Sequence, residues 1–367
     1  MARQLASIQR VLSVSPIEGA DQIEMLTVLG WELVAKKGEF KPNDLCVYLE
    51  VDSICPQRPE FEFLAPVKYR IRTRRMRGQI SQGIAFPLEI MLPFRDNMIE
   101  DGKYFLDLRE GTDVSSILGV EKWSPQENDT GLMVNGQPGY SQTKGNFPSD
   151  LPKTDETRIQ SVASVLEGME ETPFYVSEKI DGSSQTCVLR KNEETGELTF
   201  SVCSRNQEKR ETPFCHFWYT ARKMCLEEKM RSLLETYPSR FPQGLALQGE
   251  LCGPGVQKNK LKLEDYTMFS FNVFDLATKT YLNFEEMRDV LSVMHLPMVP
   301  VVLEKVFFLP GTSVRELVDL ATRRSMINPK VWAEGVVVRP LREMTHRKLG
   351  RFSFKIINPL FLLKHEE

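Results

Sequence analysis

A lysine followed two residues later by Asp-Gly stands near the middle of the chain, at Lys179, Asp181 and Gly182. Five further segments follow it in order: Cys203-Ser204-Arg205, Gln248-Gly249-Glu250, Val273-Phe274-Asp275, Ala333-Glu334-Gly335-Val336-Val337 and Ser353-Phe354-Lys355. Taken alone, Lys-x-Asp-Gly is too common to indicate a function, and Lys179 could be a surface lysine before a turn. The ordered set is far more restrictive, because the fold must bring charged and aromatic side chains from all of these segments to one site.

The lysine, with two other cations, suits transfer of a nucleotide. A protonated amine is a poor nucleophile, so Lys179 needs burial or nearby positive charge to lower its pKa, and Lys355 can provide that charge. Attack by Lys179 on the α-phosphate of a nucleoside triphosphate would give a lysyl-nucleotide and release pyrophosphate. Arg205 and Lys355 can bind the phosphate oxygens.

Two carboxylates and an aromatic ring complete the candidate site. Glu250 and Glu334 each border an apolar run that is typical of a buried strand, and they can hold a hydrated Mg²⁺ or the ribose hydroxyls. Either glutamate alone is more simply an ordinary strand-end carboxylate. Phe274 offers a face for base stacking, although Phe269 and Phe271 lie in the same run and such aromatics more often belong to a core.

The stretch Gly249–Asn259, GELCGPGVQKN, carries the most specific resemblance to a known family. It is similar, almost residue for residue, to the ATP-dependent RNA ligases of the covalent nucleotidyltransferase superfamily, especially those related to phage RNA ligase 2. The resemblance implies an enzyme that uses ATP and Mg²⁺ or Mn²⁺ to seal the 3′-OH and 5′-phosphate ends of RNA at nicks, through lysyl-AMP and an adenylylated 5′ end. The alternatives are a DNA ligase, an RNA guanylyltransferase, and a non-catalytic OB-fold RNA-binding protein.

The same resemblance assigns a role to each residue of the set. It implies that Lys179 carries AMP, Arg205 contacts the nucleotide or the 5′-phosphate, Glu250 binds the ribose, Phe274 stacks on adenine, Glu334 assists the metal-dependent steps and Lys355 contacts the α-phosphate. The predicted cofactor-binding residues are Glu178, Lys179, Glu250, Phe274 and Lys355, and the predicted metal ligands are Glu334 and Glu250. The family usually ends with Lys-x-Lys, whereas this chain has Lys355-Ile356-Ile357, so Lys364 and Arg351 are candidates for the missing lysine.

The pattern of apolar runs predicts an α+β chain in two domains. Short alternating runs at 5–15, 23–29, 31–35, 45–51 and 79–87 predict an OB-like β-barrel at 1–122 that binds RNA. Residues 123–153, rich in Gly, Pro, Asn and Ser, predict a linker or long loop. Residues 154–367 are predicted to form a nucleotidyltransferase domain, ATP-grasp-like, of antiparallel sheets and helices. Its helices are expected at 154–166, with Thr154 as N-cap, and near 215–236, 284–294 and 313–326. A barrel placed before the catalytic domain resembles the Deinococcus and Naegleria type of RNA ligase.

Basic residues are concentrated in two places. In Lys68–Arg77 the alternation would line one strand face with Arg70, Arg72 and Arg74, and we predict that these three and Lys68 bind RNA phosphates. The alternative is a solvated barrel edge protected by charge. A second cluster contains Arg339, Arg342, His346, Arg347, Lys348 and Arg351, for which RNA binding and an exposed basic hairpin are equally good interpretations.

Composition agrees with an intracellular enzyme. The 367 residues, 41% of them hydrophobic, suffice for two cores, and the net charge of −3 means that RNA must be held by local patches. The seven cysteines lack metal-ligand spacing and are expected to be reduced thiols. No apolar run has the length of a membrane span. Together with the resemblance, which implies RNA as the partner, these features lead us to expect a monomer in the cytoplasm or nucleus and no membrane.

Overall fold

Five strands of the N-terminal region form one curled antiparallel sheet, as predicted. The structure, a computed structural model, describes residues 3–98, 109–123 and 142–365. The N-terminal elements are β1 (Ala6–Pro16), β2 (Ile23–Val28), β3 (Trp31–Lys36), β4 (Leu45–Leu49), β5 (Ser53–Ile54), β6 (Arg74–Met76), β7 (Gln79–Ser81), β8 (Ile84–Pro87), β9 (Glu121–Lys122), helix α1 (Ser115–Leu118) and 3₁₀ segments Pro59–Val67 and Leu88–Met98. The sheet order is β3-β2-β1-β4-β8.

Hydrogen bonds between the two ends of this sheet curl it into a barrel. The Gln82 amide donates to the Glu32 carbonyl at 2.9 Å, and the Val34 amide donates to Ser81 Oγ at 3.0 Å. Trp31 and Tyr48 fill the interior, both fully buried. The predicted OB-like barrel is therefore confirmed.

The predicted strand across Lys68–Arg77 is wrong. Within this segment only Arg74–Met76 forms a strand, which pairs with β7 in a two-stranded hairpin, and Arg70 forms an isolated bridge with Ile54. Lys68 ends the 3₁₀ segment Pro59–Val67 with φ 55°, and Tyr69 follows with φ 59°. This left-handed turn breaks the alternation on which the predicted row of basic side chains depended.

The C-terminal region contains two antiparallel-dominated sheets and five helices. Its strands are β10 (Thr143–Asn146), β11 (Thr157–Arg158), β12 (Phe174–Lys179), β13 (Ser183–Lys191), β14 (Leu198–Cys203), β15 (Gln207–Lys209), β16 (Gly244–Cys252), β17 (Thr267–Asp275), β18 (Thr280–Tyr281), β19 (Val301–Val306), β20 (Gly335–Pro340), β21 (Thr345–His346), β22 (Gly350–Arg351) and β23 (Phe354–Ile357). Its helices are α2 (His216–Lys223), α3 (Leu226–Thr236), α4 (Phe284–Val293), α5 (Val314–Ala321) and α6 (Pro359–His365), with 3₁₀ turns at Ile159–Ser161, Ala163–Leu166 and Val256–Asn259.

The two large sheets have separate cores. A seven-stranded sheet, β10-β15-β14-β13-β16-β17-β18, packs one face on α2, α3 and α4, and a five-stranded sheet, β11-β23-β20-β12-β19, packs on α5. Capping boxes begin α4 at Asn283 and α5 at Ser313, with Glu286 and Glu316 completing them. The predicted helices near 215–236, 284–294 and 313–326 are thus present, in slightly shorter form.

The predicted helix at 154–166 is wrong. Residues 157–158 form β11, which pairs in parallel with Phe354–Lys355, and two 3₁₀ turns follow it. Glu156 forms an ion pair with Arg339 at 2.8 Å. These long-range contacts hold the segment extended despite the helix-start signal at Thr154. Within the segment predicted as a linker, residues 143–146 form β10 at the sheet edge, whereas 124–141 lie outside the described residues.

The barrel and the C-terminal domain share a polar, buried contact. The Gly30 amide donates to the Gln160 carbonyl at 2.8 Å, Ser161 Oγ donates to Glu50, and Arg158 donates to Asp52 at 2.6 Å. Among the residues that the structure describes, no helix is long and apolar enough to cross a membrane.

Candidate active site

Lys179 lines a cavity between the two large sheets and contacts Glu334. Lys179 ends β12 and lies opposite Gly335 in the β12–β20 ladder, so that Glu334 immediately precedes this pairing. Lys179 Nζ donates to Glu334 Oε2 at 2.6 Å. Gly335 is required for the close approach of β23, because a Cβ there would lie 2.1 Å from the Ile356 carbonyl oxygen. The structure therefore brings together the first and the fifth of the predicted segments.

Lys179 does not have the lowered pKa that was predicted from a neighbouring cation. Burial acts to lower its pKa, but Glu334, Glu250 and Asp181 more than offset burial, and the pKa of Lys179 is raised. The cation that does lose its proton readily is Lys355, whose pKa falls to about 7 because of burial and the charges of Lys179 and Arg158. Without a ligand, Lys179 is thus a paired ammonium.

Glu250 and Asp181 crowd the same site with negative charge. Burial, aided by repulsion from Glu334 and Asp181 and opposed by Lys179, raises the pKa of Glu250 to about 8. Burial and Glu334 raise the pKa of Asp181 to about 6, although Lys260 forms an ion pair with Asp181 at 2.9 Å. The site therefore favours additional positive charge.

The predicted metal ligands Glu334 and Glu250 both interact with Lys179: Glu334 accepts its hydrogen bond, and the charge of Glu250 raises its pKa. Among the residues that the structure describes, no three His, Cys, Asp or Glu side chains converge as a ready metal-binding set. A divalent cation beside these two carboxylates would consequently take most of its ligands from water and phosphate oxygens, as Mg²⁺ commonly does.

Phe271, and not the predicted Phe274, lines the cavity. In the β16–β17 ladder Gln248 pairs with Asn272 and Gly249 with Ser270, so Phe271 is the extra residue of a β-bulge. Phe274 is 4% exposed and packs against Leu151 and Tyr281 in a separate small core. The structure therefore does not support Phe274 as the stacking residue, and Phe271 is the aromatic ring that borders the cavity. The residues around the cavity are Thr154, Glu156, Ser177, Glu178, Lys179, Ile180, Glu250, Phe271, Val299, Val337 and Arg339.

Arg339 holds Phe271 in position. Its Nη1 donates to the Phe271 carbonyl at 3.1 Å, its guanidinium lies 5.7 Å from the Phe271 ring centroid, and its Nη2 donates to Glu156 at 2.8 Å. Arg339 is 3% exposed, so it is not part of an exposed basic hairpin. Its position at the end of the Val336–Val338 apolar run was the sequence signal for burial.

The carboxylate of Glu178 binds protein groups. It accepts hydrogen bonds from Ser325 Oγ at 2.6 Å and from the Met326 amide at 2.7 Å. Glu178 borders the cavity, but its side chain anchors the loop that leads to Glu334. The predicted role in cofactor binding is thus not supported for its carboxylate.

The remaining predicted residues lie outside the lining of the cavity. Arg205, in the loop after β14, donates to Asp155, and Asp155 is also 4.0 Å from Lys122. Ile357, at the position of the missing second lysine, is buried against Phe361. Of the two candidates for that lysine, Arg351 is bound to Glu343 and Asn272 and Lys364 is exposed on α6.

Of the predicted RNA-binding residues, Arg70 makes its contacts with other residues of the protein. It donates to Asp52 at 2.7 Å and stacks on Trp123, with 3.4 Å from Cζ to the ring centroid. Lys68 and Arg74 are exposed, and Arg72 is half-buried. The exposed arginines of this region instead lie on the β6–β7 hairpin.

Two family models match the chain: an OB-fold domain at residues 5–88 and RNA ligase at residues 172–357. None of the curated proteins matches. Among solved structures, a mutant of Naegleria gruberi RNA ligase with AMP and Mn is 31% identical, with a TM-score of 0.81 and coverage of 99% of both chains. Another mutant of this ligase, with ATP and Mn, gives the same identity, TM-score and coverage. The Naegleria gruberi ligase with PPi is 31% identical, with a TM-score of 0.79 and coverage of 100% of this chain and 99% of that chain. The chain belongs to the RNA ligase family.

Proposed function

We propose that the protein is an ATP-dependent RNA ligase that joins a 3′-OH to a 5′-phosphate, with nicks as its preferred substrate. The observation that carries this proposal is the position of Lys179, which lies in the cavity between the two sheets with Glu334 at 2.6 Å and with Glu250 and Phe271 in the same lining. An amine there can reach a nucleotide whose base lies against Phe271.

The reaction proceeds in three transfers. The neutral amine of Lys179 attacks the α-phosphorus of ATP, which forms an N–P bond and releases pyrophosphate. The terminal 5′-phosphate oxygen of RNA then attacks the same phosphorus, so that AMP leaves Lys179 and caps the RNA end. The 3′-OH finally attacks the RNA phosphorus, which forms the phosphodiester and releases AMP.

Deprotonation of Lys179 is the step that the charges of the site control. The carboxylates of Glu334 and Glu250 hold the ammonium form of the free protein. Glu334 and Glu250 would hold a divalent cation, whose positive charge would stabilise the phosphate oxygens and disfavour the ammonium form of Lys179. The Naegleria ligase structures with Mn support Mn²⁺ or Mg²⁺ as this cation.

Residues in and beside the cavity bind different parts of ATP. Phe271, fixed by Arg339, stacks on adenine, and Glu250 binds the ribose hydroxyls. Lys355 binds the α-phosphate, because a phosphate beside it favours its charged form over the neutral form that burial promotes. Arg205 lies outside this pocket, where it can meet the RNA 5′-phosphate.

Exposed arginines of the barrel provide the surface for RNA. Arg74 and Arg75 lie on β6 and Arg77 lies in the turn, all of them exposed. Arg77 and Gly78 both have positive φ, 47° and 84°, as a two-residue hairpin turn of type I′ requires. We propose these residues, in place of Arg70, as phosphate contacts.

Labelling with radioactive ATP tests the reaction itself. The protein should acquire a covalent AMP with Mn²⁺ present, and this label should survive alkali but be released by hot acid, as expected of a phosphoramidate. The protein should lose this activity in EDTA and remain unlabelled by GTP. Labelling by GTP would indicate a guanylyltransferase, and no labelling by either nucleotide would indicate a non-catalytic RNA-binding protein.

The choice of substrate tests the assignment to RNA. A nick with ribonucleotides at its 3′-OH end should be sealed much faster than an all-DNA nick, and equal rates would favour a DNA ligase.

A further inference from the structure

We propose that Asp52 of the barrel is a positioning residue for nucleotidyl transfer, which holds Arg158 beside Lys355 so that both cations bind the phosphates being transferred. This inference rests on the proposed function. It concerns residues on opposite sides of the contact between the two domains.

Both carboxylate oxygens of Asp52 are used. Oδ1 accepts from Arg70 at 2.7 Å, and Oδ2 accepts from Arg158 at 2.6 Å. Asp52 is mostly buried, and burial acts to raise its pKa, but Arg158 and Arg70 outweigh burial and lower the pKa. Asp52 is therefore an anion at neutral pH, and a net positive charge remains on the three groups together.

The backbone of Asp52 is fixed from both sides. Its amide donates to the Ile71 carbonyl at 2.9 Å, and its carbonyl accepts from the Trp123 amide at 2.8 Å. The φ of 64° lies in the left-handed region, which a residue other than glycine adopts at a cost in free energy. These contacts hold the carboxylate in a defined place on the barrel, toward the other domain.

Arg158 needs such a support. It lies on β11, which has only two residues and is paired on one side to β23. That pairing places Arg158 opposite Lys355, in register. A strand this short is weakly held by its own ladder, so the barrel determines where the guanidinium lies.

Two hydrogen-bond donors of Arg158 are unpaired among the described residues. Its Nη2 binds Asp52, whereas the buried Nε and Nη1 have no hydrogen-bond partner among the described residues. Buried donors of this kind are costly unless a ligand satisfies them, and a guanidinium is well suited to phosphate oxygens. A phosphate lying between Arg158 and Lys355 would satisfy these donors and the Lys355 ammonium together.

The test is the single-turnover rate of AMP transfer to Lys179 in the full chain. Asp52→Asn keeps the shape of the side chain but loses its charge, and we expect the rate to fall roughly 10- to 100-fold. Ser161→Ala is the matched control, because it removes another barrel contact, to Glu50, without touching Arg158 or Lys355. Its rate should stay within about threefold of wild type.

A double-mutant cycle separates positioning from stability. If Asp52 acts through Arg158, then Asp52→Asn should change the rate little in an Arg158→Ala background, although each single substitution slows transfer. Multiplicative rate losses, or an equal slowing by Asp52→Asn and Ser161→Ala at equal Tm, would overturn the proposal. Asp52→Glu keeps the charge and should slow transfer less, which provides a second measurement if Asp52→Asn unfolds. Absence of labelling in the wild type would instead reject the ligase function, and this inference with it.

Discussion

Lys179 Nζ and Glu334 Oε2 lie 2.6 Å apart although 155 residues separate them in the chain. The contact exists because β12 and β20 pair in antiparallel register at the point where Lys179 faces Gly335. It joins the proposed nucleophile to the carboxylate that contributes most to raising its pKa. Substitutions of Lys179 can therefore separate its structural role, as a cation, from its chemical role, as an amine.

Lys179→Arg should keep the ion pair and abolish the chemistry. Arginine is charged but does not act as a nucleophile, so covalent labelling by ATP should disappear while Tm stays close to that of the wild type. Lys179→Ala should also lose all label, with a lower Tm, because it leaves Glu334 without its partner. Label that persists on either variant would place the nucleophile elsewhere.

The two aromatic residues of β17 should behave differently. Phe271→Ala should raise KM for ATP roughly tenfold, since base stacking on an aromatic ring contributes about 1–3 kcal/mol, and it should alter stability little. Phe274→Ala removes a buried ring and should reduce the free energy of unfolding by about 3–5 kcal/mol, with KM for ATP nearly unchanged. Urea unfolding and steady-state labelling measure both effects. The reverse pattern would restore Phe274 as the stacking residue.

The contrast between these phenylalanines shows where the sequence is insufficient. The order of the segments predicted that Lys179, Glu250, Glu334 and Lys355 would come together, and in the structure their charges act on one another. Three of them lie on strands and Glu334 immediately precedes one, and the apolar pattern of these strands fixes their register. A β-bulge has no comparable pattern, and one extra residue re-aims a side chain. Phe271 therefore had to be seen in three dimensions.

Residues 154–166 illustrate a second limit. Thr154 and the acidic residues after it are a good local signal for a helix start. The segment is nevertheless extended, because Glu156 binds Arg339, Arg158 binds Asp52, and β11 pairs with β23. Those partners lie about 100 to 200 positions away in the chain, where local propensity carries no information.

Glu250 should make stability depend on pH. Its folded pKa of about 8 lies above the ordinary value of 4.5. Below pH 4.5 both the folded and the unfolded chain hold this proton; as pH rises toward 8 the unfolded chain loses it first, so the free energy of unfolding falls. Glu250→Gln cannot lose a proton, and its Tm relative to wild type should increase across this window and level off above it. Calorimetry in metal-free buffer measures the difference, and a constant difference would contradict the raised pKa.

The arginine hairpin should bind RNA through its charge. Arg74, Arg75 and Arg77 are exposed, and the turn that carries Arg77 is preorganised by its two positive φ angles. Each phosphate contact releases counterions, so replacing all three by alanine should weaken RNA binding and reduce the slope of log Kd against log salt by about 2–3. Labelling by ATP should be unaffected, because none of the three borders the cavity.

The matched control replaces Lys36, Lys37 and Lys41, which are exposed on the same barrel and away from this hairpin in sequence. Equal salt slopes for the two triple variants would show that the hairpin has no specific part in RNA binding and that only the overall charge of the barrel matters.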